Sequence, residues 1–248
     1  MKINLGIENI GIDISESSIE VKLLHHTPLH IANIAIRTCY QSQGKSDCTI
    51  EEEEVVLGEK DKNLIHRVAN KNKHASTIEH INFNFYLKGF SRALLQELSR
   101  HRIASLSVKS SRYTLKELIN EESLLLSYAF YNMVHSGEVD LEGTAEYKLA
   151  SKYLVMTGRT DVDINSMGAL ANLQAVLQTG TGNDYAKYCM PECFKTEATW
   201  SINLRNLQNF LELRTNKSAL WEIRILAYKI YDSLPEEMLY LVNEHIYV

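Results

Sequence analysis

The residues best able to do chemistry crowd into positions 99–113, Ser-Arg-His-Arg-Ile-Ala-Ser-Leu-Ser-Val-Lys-Ser-Ser-Arg-Tyr. No carboxylate lies between Glu97 and Glu117, whereas that window holds Arg100, Arg102, Lys109, Arg112 and Lys116 among the hydroxyls of Ser99, Ser105, Ser107, Ser110, Ser111, Tyr113 and Thr114. The chain as a whole carries a net charge of -5. Guanidinium forks match phosphate and carboxylate oxygens two at a time, and hydroxyls serve the acceptor sites left over. A cationic, hydroxyl-rich island in an acidic chain therefore predicts a pocket for a phosphorylated small molecule. A helix ending near Arg102 would draw the same cations to its negative C-terminus, and that plainer reading stands beside the first.

Two further stretches carry candidate groups. His74-Ala-Ser-Thr-Ile-Glu79-His80 is rich in polar donors, but an inverted zinc-protease motif would need a histidine where Ser76 stands. The run from Asn203 to Arg214 places Leu204, Leu207, Phe210 and Leu211 on one helical face and Asn203, Arg205, Asn206, Asn209 and Arg214 on the other. Amides suit the edge of a uracil or flavin ring because each offers a donor and an acceptor; an ordinary amphipathic helix would show the same pattern. His25, His26 and His30 cluster without a Cys or carboxylate at ligand spacing, and Cys189 and Cys193 lack the third Cys of an iron–sulfur run.

Taken together, Arg100-His101-Arg102 followed after seven residues by Ser110, the His74-x-x-x-x-Glu79-His80 turn, and Asn203-x-Arg205-x-x-x-Asn209-x-x-x-x-Arg214 resemble the flavin-dependent thymidylate synthase family, over about residues 28–234. The resemblance implies conversion of dUMP to dTMP, with methylenetetrahydrofolate as carbon donor, NADPH as reductant and tightly held FAD, in a homotetramer whose active sites form between subunits. It implies that His74, Ser76, Glu79, Arg100, His101, Arg102, Ile103, Asn203, Arg205 and Asn209 hold the flavin. It assigns Ser110, Ser111 and Arg112 to the dUMP phosphate, with Glu97 and Arg100 nearby. Arg214 would sit against the pyrimidine and favour loss of its N3 proton, so that a fixed cation replaces a covalent enzyme nucleophile. Three positions depart from many relatives: Val108 for Glu, Ser111 for Gly, and Lys187 for Arg among the nucleotide-binding residues. Lys187 keeps the charge and loses the bidentate fork.

The elements that must position these groups can be read in turn. Residues 81–87 alternate as a strand that Gly89 is expected to break, and a helix from Ser91 is expected to deliver the Arg100–Arg102 cluster. Helices are expected over 28–40, with Thr27 as cap, and over 63–73, 144–156, 164–177, 203–214 and 220–234, with a short one at 183–190 and another possible at 236–246. Residues 196–202 read as a strand. Ile12 and Ile14, and then Ile19, Val21 and Leu23, alternate as further strands. The acidic run 41–62 reads as a solvated loop or helix start, and 118–133 stays ambiguous between helix and strand. The expected fold is α+β: one domain over 1–248, an antiparallel or mixed sheet packed by several helices, and not a Rossmann fold, since no Gly-x-Gly-x-x-Gly follows a strand. A P-loop and a Gly-x-Ser-x-Gly elbow are also missing.

The bulk numbers bound the rest. Of 248 residues 45% are hydrophobic, enough for a sizeable core. A pI near 6.0 argues against bulk nucleic-acid binding. No apolar run approaches the ~20 residues of a membrane span, and the N-terminus runs into Glu8 and Asp13 with no signal pattern. Four cysteines in so long a chain make no disulfide scaffold, so the cytoplasm is the expected compartment. Two rival functions fit the same residues: a metal-dependent phosphohydrolase using His25, His26, His30, His74 and His80, and a non-enzymatic nucleotide-binding regulator.

Overall fold

The computed structural model describes residues 17–247 apart from 53 and 125. Ile12 and Ile14 lie outside the described residues. In chain order the elements are β1 (Glu20–His26), α1 (His30–Cys39), β2 (Thr49–Glu51), β3 (Glu54–Val56), α2 (Glu59–His66), β4 (Asn82–Ser91), α3 (Arg92–Leu98), β5 (Ala104–Val108), α4 (Ser111–Thr114), α5 (Lys116–Ile119), α6 (Tyr128–His135), α7 (Ala145–Tyr153), α8 (Thr160–Gln178), α9 (Asn183–Ala186), β6 (Lys195–Asn203), α10 (Leu204–Thr215), α11 (Trp221–Ser233) and α12 (Leu239–Val242). Four strands form a sheet in the order β1-β4-β6-β5, and β2 and β3 form a separate antiparallel hairpin. The architecture is α+β.

The chain divides into two compact units, one drawn from Met1–Leu87, Glu97–Ser107 and Thr199–Val248, the other from Lys88–Gln96 and Val108–Ala198. In the first, the alternation read at 81–87 turns Phe83, Phe85 and Leu87 inward, each fully buried. Their rings continue a row: His26 stacks on Phe83, Phe83 on Phe85, Phe85 leans on Trp200, Trp200 meets Phe210 edge-on, and Phe210 meets His101 edge-on, with successive centroids 6.3, 6.0, 6.1, 5.0 and 5.0 Å apart. α10 buries Leu204, Leu207, Phe210 and Leu211, as its pattern predicts. α11 is buried nearly all round, with Glu222 and Arg224 among its buried residues. The same unit buries Asp61, which accepts from Asn33 Nδ2 (2.9 Å), Arg37 Nε (3.1 Å), Ser46 Oγ (2.5 Å) and the Asp47 amide (3.2 Å). A buried carboxylate is tolerable only when so fully bonded.

In the second unit α8 is the spine. Ile164, Met167, Leu170, Leu173 and Leu177 pack with Leu115, Leu118, Leu124, Val134 and Leu154. Gln174, on that helix and 2% exposed, donates to the carbonyls of Leu118, Glu121 and Glu122 and accepts from the Leu124 amide at 3.1 Å. Those bonds occupy the backbone groups a helix or ladder would need, so the ambiguous stretch before α6 is neither.

Several expectations are corrected. β4 does not break at Gly89 but runs on to Ser91, because Gly89 takes φ 76°, open to a residue without Cβ. The following helix is accordingly Arg92–Leu98 rather than one opening at Ser91 and reaching Arg102. Thr27 does not cap α1; its hydroxyl accepts from the Asn82 amide (3.2 Å). The acidic run 41–62 contains the β2–β3 hairpin and the start of α2, and the helix expected at 63–73 passes from α2 into a π-helical turn at Arg67–Lys71. Residues 236–246 form the short helix α12 flanked by the 3-10 turns Glu236–Met238 and Asn243–His245, instead of one continuous helix.

Candidate functional site

In the first unit α3 ends at Leu98, and bonds from the Arg100 amide to the Glu97 carbonyl (3.4 Å) and from the His101 amide to the Leu98 carbonyl (3.1 Å) turn the chain at once. The turn puts His101 against Phe210 of α10. The start of α10 is fixed by Asn203, whose Oδ1 accepts from the Asn206 amide at 2.9 Å. Asn203 was expected to hold a ring ligand, but its acceptor is spent on this cap and on Asn206 Nδ2 (2.7 Å).

Arg214, in the last turn of α10, donates through Nε to His101 Nε2 (2.9 Å), through Nη1 to Glu97 Oε2 (2.8 Å) and through Nη2 to the Glu97 carbonyl (3.2 Å). A guanidinium has five N–H bonds; with three committed among the described residues, two remain for a ligand. Because Nε2 accepts, the His101 proton sits on Nδ1. Burial, and then the charge of Arg214, push the His101 pKa down to about 4. Burial alone would raise Glu97, but its bonds and charge contact with Arg214, and then Arg100, hold it below the usual carboxylate range. The site thus offers a fixed cation, an ionised carboxylate and a neutral imidazole.

Arg100, His101, Arg102, Ile103, Asn206, Asn209, Leu213 and Arg214 line one cavity of about 360 Å³. The structure therefore brings together six of the predicted residues there. It adds Asn206, noted only as polar-face, and Leu213. Both were findable, since 206, 209 and 213 follow one another at helical spacing. Ile103 and Leu213 leave 69% and 53% of their surface in water, so the cavity also carries accessible apolar surface.

The His74 turn lies in the same unit. Lys73 adopts φ 55°, which reverses the chain into the 3-10 turn Ala75–Ile78. His74, Ser76 and Glu79 are exposed on it. Glu79 pairs with Arg205 at 2.5 Å, and His74 Nδ1 meets the Tyr40 hydroxyl at 3.2 Å. Among the described residues no group of three or more His, Cys, Asp or Glu is placed to hold a metal ion.

In the second unit Ser110 precedes α4, and Ser111 and Arg112 open it. Arg112 is paired in two-pronged fashion with Asp184 of α9, at 2.7 Å from Nε and 3.1 Å from Nη2, while Asn183 Nδ2 donates to the Arg112 carbonyl at 2.7 Å. Lys187, half-buried, follows the end of α9. Sequence reasoning singled out neither Asn183 nor Asp184; no pattern around 183–184 announces a partner 72 residues away.

A family model described as thymidylate synthase complementing protein matches residues 22–238. The flavin-dependent thymidylate synthase of Wolinella succinogenes is 54% identical over 221 residues, 89% of this chain and 96% of that one. That of Campylobacter jejuni is 50% identical over 218 residues, 88% and 93% of the two chains. The solved structure of thymidylate synthase X from Helicobacter pylori with FAD and dUMP is similar at TM-score 0.79 and 46% identity, covering 93% of this chain and all of that one.

Proposed function

The chain belongs to the flavin-dependent thymidylate synthase family, and on that premise we propose that it binds FAD and dUMP and makes dTMP without a covalent enzyme nucleophile. The observation that carries the reading is Arg214, held by Glu97 and by a neutral His101 at the edge of the 360 Å³ cavity. The residues present suit a flavin: exposed Ile103 and Leu213 offer apolar surface to a flat ring, and Asn206, Asn209 and Arg100 offer donors to its edge. When bound and reduced by NADPH, the flavin would supply the hydride that the pyrimidine receives.

The chain's own groups do the rest. Arg214 keeps two N–H bonds for the pyrimidine and stabilises the ring once N3 has lost its proton. Glu97 and His101 fix the guanidinium's plane; a neutral His101 adds no competing charge. Arg102, Arg205, His74, Ser76 and Glu79 complete the flavin surface, with Asn203 acting chiefly through its cap. Ser110, Ser111, Arg112 and Lys187 take the dUMP phosphate. The Arg112–Asp184 pair is more than half exposed on both sides, so it is weak and a dianionic phosphate displaces it. Methylenetetrahydrofolate supplies the carbon and NADPH the reducing equivalents. Both units belong to one catalytic domain, assembled as a homotetramer with active sites between subunits, in the cytoplasm. The family match runs through both units. No helix among the described residues is long and apolar enough to cross a membrane.

The absorbance spectrum of the purified protein, incubated with FAD and dialysed, tests the reading, together with NADPH oxidation measured with and without dUMP. Retained flavin bands and dUMP-dependent oxidation are expected. A colourless protein, or oxidation indifferent to dUMP, overturns it.

A further inference from the structure

We propose that a second cavity in the first unit seats the anionic tail of a co-substrate whose reacting end reaches the flavin, and that Lys45, Lys60 and Arg67 read the charge of that tail. The inference rests on the flavin reading above and adds to it the residues that set co-substrate preference. The cavity holds about 520 Å³. Arg37, Lys45, Lys60 and Arg67 line it, and among the described residues no carboxylate does. Arg37 is neutralised by the buried Asp61. The other three are exposed, and their side chains make no ion pair or hydrogen bond among the described residues. Glu59 and Asp61, which flank Lys60 in sequence, go to Lys62 and Arg37 instead. One unpaired surface lysine is ordinary. Three cations facing one concavity with no carboxylate between them create a positive potential that draws an anion, in a chain whose total is -5.

The three cations come from three separate segments, each held in place. Lys45 ends the 3-10 turn Gln43–Lys45, which the chain enters from α1 through Gln41 at φ 46°. A left-handed backbone at a residue with a side chain persists only where its surroundings enforce it. Here Arg37 Nη1 donates to the Ser42 carbonyl at 2.9 Å, and Asp61 accepts from Ser46 Oγ on the far side of the turn at 2.5 Å. Lys60 lies in the first turn of α2. Arg67 opens the π-helical turn, where the Asn72 amide reaches five residues back to the Arg67 carbonyl at 2.8 Å. Such wide turns are uncommon and concentrate at functional positions; this one brings Arg67, Val68 and Asn72 to the same cavity. Ile36, Leu64 and Val68 give the cavity an apolar floor, against which an aromatic ring can pack while its charged end meets the cations.

Tyr40 connects this cavity to the flavin surface. Its ring lines the cavity, and its hydroxyl meets Nδ1 of His74, one of the residues given to the flavin, at 3.2 Å. A molecule that presents its reacting end to the flavin beside His74 carries the rest of its length over Tyr40. Both co-substrates of the proposed reaction have that build. A reduced folate runs from its pterin through an aminobenzoyl ring to glutamate carboxylates. NADPH runs from its nicotinamide to an adenosine bearing a 2′-phosphate. An aromatic group followed by an oxyanion is the chemistry they share, and the cavity's size falls within the roughly 300–1,000 Å³ of small-molecule sites.

Calorimetric titration of the FAD-loaded protein with two pairs of unreactive ligands tests this: pteroylmonoglutamate against pteroylpentaglutamate, and NAD+ against NADP+. In at least one pair the ligand with the more anionic tail is expected to bind about tenfold tighter. The double substitution Lys45→Gln, Arg67→Gln should erase that difference while flavin content, dUMP affinity and melting temperature stay at parental values, and Lys60→Gln alone should reduce it. A difference erased in the folate pair assigns the cavity to glutamate carboxylates; one erased in the nucleotide pair assigns it to the 2′-phosphate. Equal binding within both pairs overturns the proposal, as does a difference that survives the double substitution. Loss of flavin from the variants also overturns it, since the cavity would then hold FAD's own diphosphate. Failure of the flavin reading would show differently, as a parent protein that retains no flavin, and the same titrations of that flavin-free protein would still register the substitutions.

Discussion

Arg214→Lys isolates geometry from charge. The guanidinium reaches three acceptors from three different nitrogens, at 2.9, 2.8 and 3.2 Å. A lysine ammonium is one nitrogen; it can stay with the Glu97 carboxylate but cannot also span His101 and the Glu97 carbonyl. Hydrogen bonds to charged groups are worth about 1.5–3 kcal/mol each. Two are lost, and partial exposure (14% for Arg214, 30% for Glu97) screens them by about half. The net is about 1.5–3 kcal/mol, or roughly 13- to 160-fold in kcat/KM if the lost orientation is felt in the transition state. The assay is dUMP-dependent NADPH oxidation at saturating FAD, with flavin content and melting temperature measured on the same preparation to exclude misfolding. A lysine variant within about threefold of the parent at equal flavin content would refute the claim that orientation, and not charge alone, is what Glu97 and His101 provide.

Three further outcomes are expected. Ser110→Ala weakens dUMP binding in a titration yet leaves measurable turnover; a dead enzyme with intact dUMP affinity would show that Ser110 does more than bind phosphate. His101 titrates near 4 by NMR, below its ordinary 6.5, so the unfolded chain binds the extra proton first and stability falls as pH drops from about 6.5 toward 4; urea melts of His101→Gln should lose less between pH 7 and 4.5 than those of the parent, and an equal loss contradicts the assignment. Asp61→Ala leaves Arg37, itself 6% exposed, as a buried charge without its carboxylate, and costs about 3–5 kcal/mol in urea unfolding at pH 7. Burial alone would raise Asp61, but Ser46, Arg37 and Cys48 hold it at about 2 instead of 3.8, so its contribution is present above pH 3.8 and is lost as pH falls through 2; a cost below about 1 kcal/mol would contradict this.

Legibility followed the range of the interactions. α10 and α11 were readable because their apolar spacing is local and their burial follows it. β4 was readable in its first half, where side chains alternate, but not past Gly89, where backbone freedom rather than side-chain type decides the path. The stretch before α6 was undecidable because its bonds go to Gln174, about fifty residues away. Within the site, the Arg100–Arg102 cluster and Arg214 were nameable from their motifs. The clamp of Asp184 on Arg112 was not, since it depends on which groups folding brings within 3 Å; the cap by Asn203 is local, three residues in range, and went unread because Asn203 was given to a ring ligand.

The row of rings from His26 to His101 carries a mechanical consequence. The imidazole that braces Arg214 is the last member of a stack whose other rings are the sheet's own filling, so the site has no soft joint of its own in that direction. Heat should release flavin from the first unit only when that unit melts as a whole. Loss of bound flavin and loss of the Trp200 environment should then trace a single curve.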